Sequence, residues 1–142
     1  MIQFSFGEPE IEILTKIALA ILLGLFIGLE RRAQNYGLGS RTSMLVCTGA
    51  CLFTIGAVSF IPGDNLGRIA QGLATGVGFI GAAIIWRQPS NPIALHGLTS
   101  AVTVWVLTAI GFAVGAGQYF AAILVTILVL VVLLIRHIKA II

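Results

Sequence analysis

The side chains able to do chemistry are few: eight Lys/Arg, five Asp/Glu, two His and two Cys among 142 residues. Asp64 and Arg68 form the most informative pair. Asp64 stands where a helix N-cap would be, and Arg68 follows one helical turn later. A carboxylate at that place is stabilised by exposed backbone N–H groups and by the helix dipole. Gln71, Thr75 and Gly78 continue from Arg68 at i+3, i+7 and i+10, drawing a polar and small stripe along one helix face. Thr99 and Thr103, on a later segment, offer a partner face for it. A capped helix with an interfacial arginine explains the first two residues, and a stripe that handles a ligand or ion would use all of them. Both readings stand at this stage. Glu30, Arg31 and Arg41 form a second cluster, read as a topology anchor in which an arginine neutralises a carboxylate at a membrane boundary. Cys47 and Cys51 share a helix face at i, i+4, as metal ligands or a redox pair would. No His or carboxylate lies near them in sequence, and small residues at that spacing in an apolar segment usually serve packing. No nucleophile–base pair, phosphate-binding glycine loop or metal-ligand spacing is present, so no catalytic residue, metal or cofactor is expected and the chain does not read as an enzyme.

The segments that must carry these residues are dictated by composition. Hydrophobic residues make up 58% and charged residues 9%, whereas a soluble domain carries roughly 25% charged. So few charges cannot cover the surface of a water-soluble fold this size, and lipid becomes the solvent for most side chains. The basic pI of about 9.3 comes with no basic stripe or aromatic platform, which excludes nucleic acid as the partner. The leader carries Glu8, Glu10 and Glu12, the wrong charge for a signal peptide, so the first apolar run reads as a retained helix. Lys16 lies one turn inside it, where it can snorkel outward and pair with Glu12.

Charges and turn residues divide the chain, read as a single transmembrane domain over 1–142, into five candidate spans: 11–29, 42–61, 68–86, 98–114 and 119–135. Each has the length that crosses an ~30 Å hydrocarbon core at about 1.5 Å per residue. The expected fold is therefore all-α, a polytopic membrane helix bundle of about five transmembrane helices. Arg31, Arg32, Arg41, Arg87, Arg136 and Lys139 flank one side and only Arg68 the other. By the positive-inside rule this puts the N-terminus outside and the C-terminus in the cytoplasm.

Seventeen glycines add a second pattern. Glycine inside a helix costs up to about 1 kcal/mol relative to alanine, a cost offset in lipid where it lets two backbones approach. Gly24/Gly28, Gly72/Gly76 and Gly111/Gly115 are small-xxx-small pairs, and Gly78 and Gly81 extend the second. The third span, richest in glycine, is expected to be the central helix, and the Leu/Val/Ile-rich fifth to be peripheral.

Several motifs occur in order: "GLERR" at Gly28–Arg32, "GSRT" at Gly39–Thr42, "LVCTGACLF" at Leu45–Phe53, "RIAQGLATGVGFIGAAII" at Arg68–Ile85, "GLTSAVTVW" at Gly97–Trp105 and "AIGFAVGAGQY" at Ala109–Tyr119. Together they resemble the N-terminal membrane domain of the MgtC/SapB family of bacterial inner-membrane proteins, over nearly the whole chain. The resemblance implies five membrane helices with a periplasmic N-terminus, and a link to adaptation to low magnesium or acid stress and to virulence. It implies a regulatory protein acting on other membrane proteins, such as an ATP synthase or a P-type transporter. The family's acidic and arginine positions correspond to Glu30, Arg31, Arg41, Asp64 and Arg68. Members with a soluble ACT-like C-terminal domain continue past the last span, whereas this sequence stops at Ile142, so it reads as a short form or a fragment. The functional expectation is a partner-binding, homo-oligomeric membrane protein, with a dimer favoured. The alternative is an oligomeric small-ion transporter or channel, Mg²⁺ included.

Overall fold

The structure, a computed structural model, describes residues 8–33, 38–60, 66–88 and 91–139. Five helices run in order: α1 (Glu8–Ala33), α2 (Ser40–Phe60), α3 (Leu66–Ile84), α4 (Leu98–Gly115) and α5 (Tyr119–Lys139). Between α3 and α4 lies a short antiparallel hairpin, β1 (Trp86–Gln88) and β2 (Asn91–His96). The sequence reading treats that segment as a loop. Trp86 and His96 pair across the hairpin with ring centroids 4.7 Å apart, and a cross-strand aromatic pair can hold a hairpin too short to show a period-2 pattern. Its strands have no further partner among the described residues, so Pro92 is tolerated on an edge.

Among the described residues, Glu10–Ala33, Ser40–Ser59 and Leu98–Gly115 are long and apolar enough to cross a membrane, and Tyr119–Ile135 forms a shorter apolar helix. α3 is not in that set. Arg68, Gln71 and its five glycines hold down its hydropathy, although its 19 residues would reach across about 28 Å.

α4 is the hub, not α3 as the glycine count suggests. Ten of the 18 residues of α4 are buried, against Val77 alone in α3, and α4 contacts each of the other four helices. The core joins Ala20, Leu23 and Ile27 of α1, Cys47 and Cys51 of α2, Val104, Leu107, Ile110 and Val114 of α4, and Ala122 of α5. Glycines of α1 and α4 clasp α2 from two sides. A Cβ at Gly24 or Gly28 would fall 2.9 Å from the Ser43 carbonyl oxygen or 2.6 Å from the Ser40 Cα. A Cβ at Gly111 would collide with the Cys47 carbonyl, and one at Gly115 would lie 2.7 Å from that of Cys51. The two cysteines, free and fully buried, occupy the contact where these backbones close.

Among the described residues two turns need a left-handed residue, and glycine supplies both. Gly97 (φ 82°) turns β2 into α4, with its α-carbon hydrogen facing the Ile84 carbonyl. Gly117 (φ 80°) ends α4: its N–H reaches the Val114 carbonyl while that of Gln118 reaches Ala113, the two bonds of a Schellman cap. The chain thereby reverses at once into α5.

Outside, the molecule is apolar. Leu45 is 73% exposed and Phe79 and Phe120 are 81% exposed, with Leu, Ile and Val continuing the surface along α5. Large contiguous apolar surface is unfavourable in water and matched to hydrocarbon. This is the exterior of a membrane protein.

Candidate functional site

Polar groups gather first at the end of the bundle where α1 finishes and α4 begins. Arg31 and Arg32 occupy the last turn of α1, where cations complement the helix dipole. Arg32 is exposed, but Arg31 is 2% exposed and its Nη2 donates a 2.7 Å hydrogen bond to Ser100 Oγ in the first turn of α4. A buried guanidinium is tolerated only with hydrogen-bond acceptors, and each such bond is stronger in a low-dielectric setting. Glu30 is half-buried beside it, whereas Arg41 is exposed on α2. The anticipated trio is therefore split between an inward and an outward group. Ser100 is the residue the sequence reading missed. Only the helix packing brings it to Arg31, from 69 residues away in the chain.

The stripe on α3 is present but has a different setting from the one expected. Arg68, Gln71, Thr75 and Gly78 are all exposed, and Thr75 donates to the Gln71 carbonyl at 2.9 Å. Thr99 and Thr103 do not face its polar part. The hairpin reverses the chain, so the start of α4 lies beside the end of α3: an added Cβ at Gly81 would meet Ala101 at 3.7 Å. Thr99 is exposed, and the buried Thr103 turns its hydroxyl to the Thr99 carbonyl at 2.7 Å. Asp64 lies outside the described residues. Gly72, Gly76 and Gly78 differ from the glycines of α1 and α4, because among the described residues no atom lies within 4 Å of a Cβ added there.

Thr54, Thr108 and Thr126 are buried and satisfied by their own helices, donating to the carbonyls of Ala50, Val104 and Ala122 at 2.8, 3.0 and 2.8 Å. Near the start of α1, Lys16 Nζ and Glu12 Oε1 form an i, i+4 ion pair at 2.8 Å, as the spacing predicts. No cluster of metal-ligating side chains occurs among the described residues.

A groove of about 620 Å³ opens at the side of the bundle, between α2 and α3 with Thr108 of α4 at its back. Leu45, Val46 and Phe53 form one wall, and Ile69, Leu73 and Ile80 the other. Gly49, Gly72 and Gly76 deepen it, and Arg68 stands at one end. A smaller hollow of about 210 Å³ lies on the other side of α3, against Trp105 and Phe112.

The MgtC family model matches residues 17–140. Protein MgtC of Salmonella typhimurium is 40% identical over 111 residues, covering 78% of this chain and 46% of the relative. Protein SapB of Bacillus subtilis is 36% identical, covering 76% and 49%. The Escherichia coli protein named "Putative magnesium transporter YhiD" is 37% identical, covering 89% and 61%. The chain thus spans about half the length of the first two relatives. No solved structure matches it. The family match extends from the third turn of α1 to the end of α5, and with these relatives it establishes that the chain belongs to the MgtC family.

Proposed function

We propose that the chain is a regulatory, partner-binding protein of the bacterial inner membrane, not an enzyme, and that it works as a homo-oligomer, a dimer in its simplest form. It crosses the bilayer five times with its N-terminus outside and its C-terminus in the cytoplasm. The observation that carries this reading is the outward face of α3, where Gln71, Thr75, Gly78 and Ala82 are all exposed on a bundle whose exposed large side chains are mostly Leu, Ile, Val and Phe. Gln71 lies about 4–5 Å further into the membrane than Arg68. An amide facing hydrocarbon costs several kcal/mol, on the order of the cyclohexane transfer value, and small residues beside it allow a second helix to approach and cover it. A second copy would pair its own Gln71 amide across a twofold axis. Larger membrane proteins, such as an ATP synthase or a P-type transporter, would then read the assembled surface.

Crosslinking in native membranes tests this. With Cys47 and Cys51 replaced by alanine, Gln71→Cys and Gly78→Cys should form dimers on oxidation, whereas Leu128→Cys on the outer face of α5 should not. A protein that stays monomeric in both membranes and mild detergent refutes the reading.

A second reading, small-ion transport, is favoured by the magnesium-transporter name of the Escherichia coli relative. A magnesium path needs carboxylates that keep part of the ion's water shell, and Asp64 is the carboxylate nearest α3 in sequence. Ion flux into proteoliposomes that falls with Asp64→Ala would support transport. Unchanged flux, or none, ends it. The links to low-magnesium adaptation, acid stress and virulence belong to the proposal with either mechanism.

A further inference from the structure

We propose that the groove between α2 and α3 holds one acyl chain of an anionic phospholipid, with the lipid phosphate on Arg68. The dimensions favour a lipid over a helix. From Arg68 to Ile80 the groove follows twelve residues of α3, about 18 Å at the helical rise. One leaflet of an ~30 Å hydrocarbon core is about 15 Å deep, so an acyl chain starting at the level of Arg68 ends near Ile80. A helix with its side chains is about 10 Å across, broader than a single extended hydrocarbon chain. A helix could lie on the rim but could not fill the floor, which Gly49, Gly72 and Gly76 leave clear.

The polarity of the site matches the same occupant. The walls are Leu, Val, Ile and Phe, and among the described residues the one charged side chain in the lining is Arg68, at the start of α3. Among the described residues no carboxylate pairs with it. A guanidinium presents a planar fork of donors that suits phosphate oxygens, and it lies at the helix end, where headgroups begin. The chain and headgroup of one lipid therefore meet the apolar and cationic parts of the groove in the right order and at the right separation. Beyond Arg68, which heads both, the groove residues Ile69, Gly72, Leu73 and Gly76 lie on a different face of α3 from Gln71, Thr75 and Gly78, so lipid retention and dimer crosslinking at Gln71 and Gly78 can fail independently.

The test is native mass spectrometry of the full chain released from detergent, with phosphatidylglycerol or phosphatidylethanolamine of identical acyl chains added. Wild type should retain one phosphatidylglycerol in preference to phosphatidylethanolamine. Arg68→Gln should lose that preference by about tenfold, the size of one charge-assisted hydrogen bond, and Arg68→Lys should restore part of it. Gly76→Leu projects into the open groove instead of into packed protein and should lower retention of both lipids. Equal retention of the two lipids by wild type overturns the proposal, as does a preference that survives Arg68→Gln. Retention unchanged by Gly76→Leu would place the lipid elsewhere, and a disulfide between copies through Gly72→Cys would put a second protein chain in the groove; either result also overturns it.

Discussion

Two glycine-to-alanine substitutions, Gly115→Ala in α4 and Gly56→Ala in α2, should move stability in opposite directions although the chemical change is identical. At Gly115 the new methyl would lie 2.6 Å from Thr54 Cβ and 2.7 Å from the Cys51 carbonyl oxygen. Neither is the free end of a flexible side chain, so α2 and α4 must separate by roughly 0.7 Å to reach van der Waals contact near 3.4 Å. Overpacking of this kind costs about 1–3 kcal/mol, and the rigid neighbours place Gly115 at the upper end. Replacing glycine by alanine in a helix returns up to about 1 kcal/mol, leaving a net loss near 2. At Gly56 no atom lies within 4 Å of the added Cβ among the described residues, so only the propensity gain of about 1 kcal/mol operates. The two variants should differ by about 3 kcal/mol, roughly a hundredfold in the unfolding equilibrium. Unfolding in mixed micelles by SDS titration, followed by far-UV circular dichroism, reads this directly. Equal midpoints, or a stabilised Gly115→Ala, would refute the clasp of α1 and α4 on α2 as the source of the bundle's stability.

Ser100→Ala should cost about 1–3 kcal/mol by removing an acceptor from the buried Arg31 guanidinium. In an Arg31→Met background the same change should cost close to nothing, and strict additivity in this double-mutant cycle would mean that the 2.7 Å contact is energetically idle. Cys47 and Cys51, both 0% exposed, should resist a membrane-permeant maleimide in the folded protein and react fully in SDS. Rapid labelling of the native state would show that the α1–α2–α4 contact opens.

The existence of the helices was legible in the sequence, because charge clusters, Pro and Gly interrupt apolar runs of spanning length. Their arrangement was much less so. In water, helix amphipathicity tells which face points inward, but in lipid both the core and the exterior are apolar and that signal fades. The hub therefore could not be read from hydropathy: α4 is apolar on every face, with little to separate the buried Val104 and Leu107 from the exposed Val102 and Trp105. Glycine spacing identified faces able to approach closely without naming the neighbour. At Gly24/Gly28 and Gly111/Gly115 the neighbour is α2. Of the candidate site, Arg31 was recognised from its charge at a membrane boundary, but Ser100 was hidden because a serine in an apolar helix is common and its role depends on a partner 69 residues away.

The loss of the inward signal in lipid leaves a reversed one in its place. An exposed leucine on this bundle says nothing, since hydrocarbon and a protein core treat it alike. An exposed glutamine is different, because hydrocarbon cannot satisfy its amide and a bare small-residue surface forgoes the packing that drives helix association in membranes. On α3 the two anomalies coincide, with Gln71 and Thr75 beside Gly78 and Ala82 outside and Gly72 and Gly76 along the groove. α3, with Val77 as its one buried residue among those described, is thus the helix whose composition is least suited to lipid on every side. Among the described residues nothing covers that surface, and under the two proposals its parts fall to occupants of different chemistry, a second copy on the amide-bearing stripe and a lipid chain in the apolar groove.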